Sequence, residues 1–178
     1  MKIIPILVGI TMGVSNFAFA APQIIFQGEV SAQTCEPLVN GSTNSTVLLS
    51  TVRSSDLTTA GSTSGFRPFT ISLMNCTAPT DSDLNINTVF LGHNVTANGN
   101  LGNAAPDNEA TNVALQLLDS ETGTNPIILN GPTSVPGLVL GKDSTTANYK
   151  FGVQYISENG NATPGKVTAV AEYTLSYL

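Results

Sequence analysis

Two period-two patterns, one near each end of the chain, constrain this fold more than any other feature. Residues 24–30 read Ile-Ile-Phe-Gln-Gly-Glu-Val, so Ile24, Phe26, Gly28 and Val30 form an apolar stripe broken by one glycine. Residues 165–178 run from Gly165 to the last residue. There Val167, Ala169, Ala171, Tyr173, Leu175 and Tyr177 make one face, and Lys166, Thr168, Glu172, Thr174 and Ser176 sit mostly on the other. Alternation of that length marks strands with one buried face. Neither pattern has an obvious partner within the chain, which leads us to expect completion by another copy of itself. On the residues alone, mutual pairing of the two strands inside a closed sandwich stays open.

The first twenty residues are not expected to belong to the fold. Lys2 supplies a short positive region, residues 3–14 are apolar but too short to span a bilayer, and Ala18-Phe19-Ala20 is a cleavage site of the A-x-A kind. We expect a secretory leader over residues 1–20, cut before Ala21. The rest reads as one domain, with a donor-strand extension at 21–31 and the domain proper at 32–178. A chain of that size can bury a proper core.

Charge narrows the function classes. The precursor carries a formal net charge of −6, and without Lys2 five basic residues face twelve acidic ones, a net of −7. Lysine occurs only at positions 2, 142, 150 and 166, so no basic stripe exists. Nucleic acid is therefore not expected as a partner, because phosphate binding needs clustered Lys and Arg. Charged residues make up only 10% of the chain, so Ser, Thr, Asn and Gln must supply the polar surface.

Export implies an oxidising compartment, in which Cys35 and Cys76 are expected to pair. Closing a loop of about 41 residues contributes roughly 4 kcal/mol in the chain-entropy picture. Two unrelated buried thiols are the alternative. Two cysteines and the lone His93 do not supply a closed ligand set, so neither a metal nor any other cofactor is expected.

Between the terminal patterns, short strands alternate with turns. Expected strands cover 46–52, 66–75, 85–91, 111–118, 126–129, 137–140 and 149–156, with a long Asn- and Gly-rich loop at 92–110. No segment beyond the leader sustains a helical period. Short strands at this spacing indicate an all-β sandwich or barrel. No catalytic constellation stands out. There is no G-x-S-x-G elbow, and the carboxylate pairs Asp81/Asp83 and Asp119/Glu121 read as turn formers or solvated faces. The sequons at Asn44, Asn94 and Asn161 are expected by chance in a chain this rich in Asn and Thr.

Several linked motifs carry a family resemblance. They are Phe26-Gln27-Gly28-Glu29-Val30 before Cys35, Thr51-Val52-Arg53, and Phe69-Thr70-Ile71-Ser72-Leu73 leading to Cys76. They continue with Val89-Phe90-Leu91-Gly92, residues 111–119, Ala162-Thr163-Pro164-Gly165 and a C-terminal strand with penultimate Tyr177. In this order over 22–178 the chain resembles fimbrial (pilus) subunits of the chaperone–usher pathway, in particular type 1-like pilins. It departs from them in its short N-terminal extension and its final Leu178.

The resemblance implies an all-β, incomplete immunoglobulin-like sandwich lacking its last strand, completed by donor-strand complementation. Ile24, Phe26, Gly28 and Val30 would be the donor strand. Gly165, Val167, Ala169, Ala171, Tyr173, Leu175 and Tyr177 would form the acceptor groove and the chaperone contact. The implied partners are other pilus subunits, a periplasmic chaperone and an outer-membrane usher, with export through the periplasm to the cell surface. The implied role is a non-enzymatic structural subunit of a surface fimbria that supports adhesion. A minor adaptor or tip subunit with its own receptor-binding role is the alternative, and a secreted hydrolase is a third reading that no constellation supports. Burying Ile24, Phe26 and Val30 contributes roughly 5–9 kcal/mol, and ordering a flexible extension opposes it by a comparable amount. Gly28 would fit a shallow site and set the register.

Overall fold

The structure is a computed structural model that describes residues 35–43 and 45–177. Within them nine strands form two antiparallel sheets. The strands are β1 (Glu36–Val39), β2 (Ser62–Met74), β3 (Leu84–Gly92), β4 (Leu101–Gly102), β5 (Ala114–Leu118), β6 (Pro126–Ile127), β7 (Thr133–Leu140), β8 (Ala147–Ser157) and β9 (Ala171–Tyr177). The larger sheet runs β1-β2-β8-β5-β4 with β6 also on β5, and the smaller runs β7-β3-β9. The leader, the N-terminal stripe and its proposed register glycine lie outside the described residues.

Each sheet buries the face that the alternation marks. On β2, Phe69, Ile71 and Leu73 are buried while Thr70 and Ser72 are half-buried; on β3, Ile86, Thr88 and Phe90 turn inward. Phe151 of β8 joins the layers. Its ring stacks on Phe69 at 5.6 Å and meets Phe90 of the opposite sheet edge-on at 5.1 Å. Such pairs add about 0.5–1.5 kcal/mol beyond the area they bury. The architecture is the expected all-β, immunoglobulin-like sandwich.

Cys35 and Cys76 are disulfide-bonded. Cys35 immediately precedes β1 and Cys76 lies two residues beyond β2, whose ladder pairs Glu36 with Met74. The bridge therefore joins two adjacent strands, as the sequence led us to expect, and caps a second core of Leu73, Ile86, Leu138 and Leu140.

The expected strands need several corrections. β2, β7 and β8 are longer than the alternation indicated, β5 begins at Ala114, and β6 ends at Ile127. β1 was not foreseen, because four residues including Pro37 give little signal. Proline is tolerated there because the strand lies at the sheet edge. Residues 46–52 show the alternating burial, Val47 and Leu49 half-buried and Leu48 76% exposed, yet they enter no ladder among the described residues. In the C-terminal pattern only 171–177 pair as a strand. Residues 166–170 instead bond to the 103–110 loop and to His93, through Lys166 N–H to Asn108 O, Ala104 N–H to Thr168 O and His93 N–H to Val170 O at 2.8–3.0 Å.

A polar staple fixes the loop after β3. Glu158, just past β8, accepts from Thr96 Oγ1 at 2.5 Å and Asn100 Nδ2 at 2.6 Å on one oxygen, and from Asn98 Nδ2 at 3.0 Å on the other. Burial alone would raise this carboxyl, but hydrogen bonds from Asn100, Thr96 and Asn98 outweigh it and hold the group below its ordinary range. A lowered acid stabilises the fold above its unfolded value, and that contribution is lost as pH falls through the lowered one. Glu158→Gln should therefore cost on the order of 1 kcal/mol at pH 7. In urea titrations of the exported subunit, the gap between wild type and variant should close as pH drops below about 4.5. Removing both cysteines should lower stability by about 2–5 kcal/mol in the same assay.

Candidate functional site: an open sheet edge

β9 is an edge strand whose pleat sets the geometry of the site. Its ladder with β3 pairs Ala171 with Gly92, Tyr173 with Phe90, Leu175 with Thr88 and Tyr177 with Ile86. The His93–Val170 bond in that register shows that even-numbered residues turn their backbone groups inward. Odd-numbered residues from Val167 to Leu175 therefore turn their N–H and C=O groups outward, to an edge with no neighbouring strand among the described residues. The same odd residues point their side chains at the core. Val167, Ala169, Ala171 and Tyr173 pack on the main cluster, and Leu175 and Tyr177 on the disulfide-capped one. None of the six is fully buried. From Val167 to Leu175, one row of residues thus presents both half-covered apolar side chains and backbone groups that have no strand partner among the described residues.

Residues 45–52 supply a second row. Val47 and Leu49 pack on the same main cluster, and Val52 packs with Val167 on a smaller one that includes Leu57, Val113 and Tyr155. Among the described residues the backbone of 45–52 makes no hydrogen bond. At one end the two rows bound a cavity of about 700 Å³ lined by Val52, Arg53, Leu57, Val113, Tyr155 and Val167, among others. Among the described residues the site is a groove with an apolar floor and two lips that have no strand between them. A smaller cavity of about 350 Å³ beside Glu158 is lined mainly by Asn, Thr and Glu and lacks such lips.

Of the residues expected to form the groove, Val167, Ala169, Ala171, Tyr173, Leu175 and Tyr177 are brought into line. Gly165 lines the cavity at the Val167 end of the groove. A Cβ there would sit 2.3 Å from Ala110 N and 2.5 Å from Glu109 C, so this glycine also lets two backbones touch. Sequence reasoning missed the second lip and the floor residues Leu57, Val113 and Tyr155. The alternation at 46–52 is the available signal, and it predicts a strand without indicating whether that strand has a partner.

The other edges are closed to additional strands. β7 carries exposed Pro136, which has no N–H to give, followed by Gly137 at φ +121°, where a Cβ would strike the Tyr149 ring. β1 contains Pro37, and β4 and β6 span two residues each. Such devices blunt sheet edges against unwanted pairing. β9 is the long edge strand without one.

No three His, Cys, Asp or Glu side chains gather into a metal-binding group among the described residues. His93 follows β3, and its Nε2 lies 3.1 Å from Glu172 Oε1 on the surface. Burial raises both Tyr155 on the floor and Tyr173 on the lip above the ordinary phenol value.

The chain matches the family described as fimbrial protein over residues 24–178. It is 37% identical over 160 residues to the major fimbrial subunit SMF-1 of Stenotrophomonas maltophilia, covering 86% of this chain and 90% of that one. It is 33% identical over 183 aligned residues to the F17 fimbrial protein of Escherichia coli, covering 99% of each. A solved Burkholderia pseudomallei antigen and type I fimbria protein superposes with a TM-score of 0.56 at 25% identity, over 82% of this chain and all of that one. These relatives, with the open-edged sandwich, place the chain in the class of fimbrial subunits. The chain belongs to the fimbrial protein family.

Two outcomes follow from the geometry. Gly165→Val should lower the stability of the subunit itself by about 1–3 kcal/mol or more, read as a shifted urea midpoint. The raised tyrosines contribute stability that is complete below pH 10.0 and is lost as pH rises through their folded values. Tyr173→Phe should flatten part of that alkaline loss.

Proposed function

We propose that the groove accepts one strand, residues 24–30 of a neighbouring copy, and that repeating this step builds a fimbria. The observation that carries the reading is the double parity of the C-terminal row. The residues whose backbone groups face the empty edge are the ones whose side chains lie half-covered over the core. A strand laid there would satisfy the backbone and cover the side chains together, which is the physics of strand addition. Its alternating Ile24, Phe26, Gly28 and Val30 match a groove with two apolar lips.

Before assembly such an edge is an aggregation hazard. A periplasmic chaperone lending its own strand would cover it, and an outer-membrane usher would exchange that strand for the next subunit's. Residues 1–20 would direct export, and 21–31 would be the donor extension. The role is structural, with no catalysis, at the cell surface where the fibre supports adhesion.

Gly28→Leu tests this reading. The variant should fold and bind its chaperone as wild type does, because the extension belongs to the next subunit's core. Fibre assembly should fail or slow strongly, since a forced branched side chain costs roughly 1–3 kcal/mol or more. Normal fibres in electron micrographs would remove Gly28 from the mechanism. Loss of the subunit's own fold would instead favour internal pairing of residues 24–30.

A further inference from the structure

The groove is electrically uneven along its length, and the segment proposed to fill it carries a single charge. We infer that Arg53 on one lip recognises Glu29 of the entering copy, and that this pair sets the direction and register of the inserted strand. The inference rests on the strand-addition reading above and adds a specificity residue to it.

The charges on the groove rim are few, and most are already engaged. Lys166 Nζ lies 2.7 Å from Asp107 Oδ2, and Glu172 is held by His93 at 3.1 Å. Glu109 lines the separate polar cavity. Arg53 lines the groove cavity and is exposed, and among the described residues no carboxylate lies within ion-pair distance of it. Asp56, three residues further along, does not pair with it either. One end of the groove therefore presents an unengaged guanidinium, while Glu172 lies midway along the row, paired with His93.

In residues 24–30, Glu29 is the one charged side chain. If Ile24, Phe26, Gly28 and Val30 turn inward, period two turns Gln27 and Glu29 to the outer face. That is the face on which Lys166, Thr168, Val170 and Glu172 are exposed. Insertion with Val30 toward the cavity, antiparallel to β9, brings Glu29 to the Arg53 end. Insertion the other way carries it to the Tyr177 end of the row, away from Arg53. Arginine suits this task because its planar fork can grip a carboxylate with two donors. At an exposed site the gain in affinity is small, and the main effect is on encounter and register.

The test uses the full subunit purified with its periplasmic chaperone, and synthetic peptides of residues 21–34 as incoming strands. Rates of peptide capture are measured for wild-type and Glu29→Arg peptides on wild-type and Arg53→Glu subunits. At low salt each single charge reversal should slow capture about two- to fivefold. The doubly reversed pair should recover to within about twofold, and 1 M salt should remove the differences. Additive slowing without recovery, or rates indifferent to charge, would overturn the ion pair while leaving strand addition intact. Failure of the wild-type peptide to enter at all would overturn strand addition, and this inference with it. Because the Glu29→Arg peptide is read on the unaltered subunit, the result does not depend on how Arg53→Glu folds.

Discussion

Everything distinctive about this molecule depends on the parity of an unfinished sheet edge. In an antiparallel pair, side-chain direction and hydrogen-bond direction both alternate with period two, so they stay locked in phase. Along residues 167–175 the phase sets the core-facing side chains and the unpaired backbone on the same residues. Neither deficit can be repaired alone. Water could solvate the backbone but would leave Val167, Ala169 and Tyr173 half-covered, and a lipid or small apolar ligand would do the reverse. A single extended peptide answers both.

The rest of the sandwich is arranged to leave that one deficit standing. The Phe69, Phe151 and Phe90 rings hold the sheets together without help from the missing strand. The disulfide ties β1 to β2 at the end where the edge strand finishes. The 103–110 loop grips the inner edge of residues 166–170, with Asn103 Oδ1 accepting from Thr168 N–H at 2.9 Å. Pro136, Gly137 and Pro37 blunt the alternative edges. Reactive edges are dangerous in general; here one survives and the others are defended.

How much of this was legible in the sequence differs by element. Where a strand buries one face beside a paired neighbour, as with Phe69, Ile71 and Leu73 or with Phe90, alternation located it well. The disulfide followed from the exported context and the count of two cysteines. Alternation reports burial, however, and not hydrogen bonding, so residues 46–52 read like any strand although their backbone is unpaired among the described residues. The same blindness hid the second lip and left the groove half drawn. Leu115 and Leu117 alternate along β5 as if it had one buried face, yet all five of its residues are buried. Its second face lies under contacts remote in sequence, such as the Gln154–Gln116 hydrogen bond of 2.9 Å, which no local pattern encodes. Gly165 opens the alternating run and lines the groove cavity. Its closeness to Ala110 is set by a loop more than fifty residues earlier.

The central claim is that assembly fills the outward-facing half of one strand's hydrogen bonds. Amide hydrogen exchange, resolved residue by residue in the isolated subunit and in assembled fibres, tests it most directly. The account predicts that the odd amides at Val167, Ala169, Ala171 and Tyr173 exchange freely in the subunit and become protected in the fibre. The even amides at Lys166 and Thr168, already bonded inward, should change little. Odd amides that are protected before assembly, or remain unprotected after it, would contradict the account.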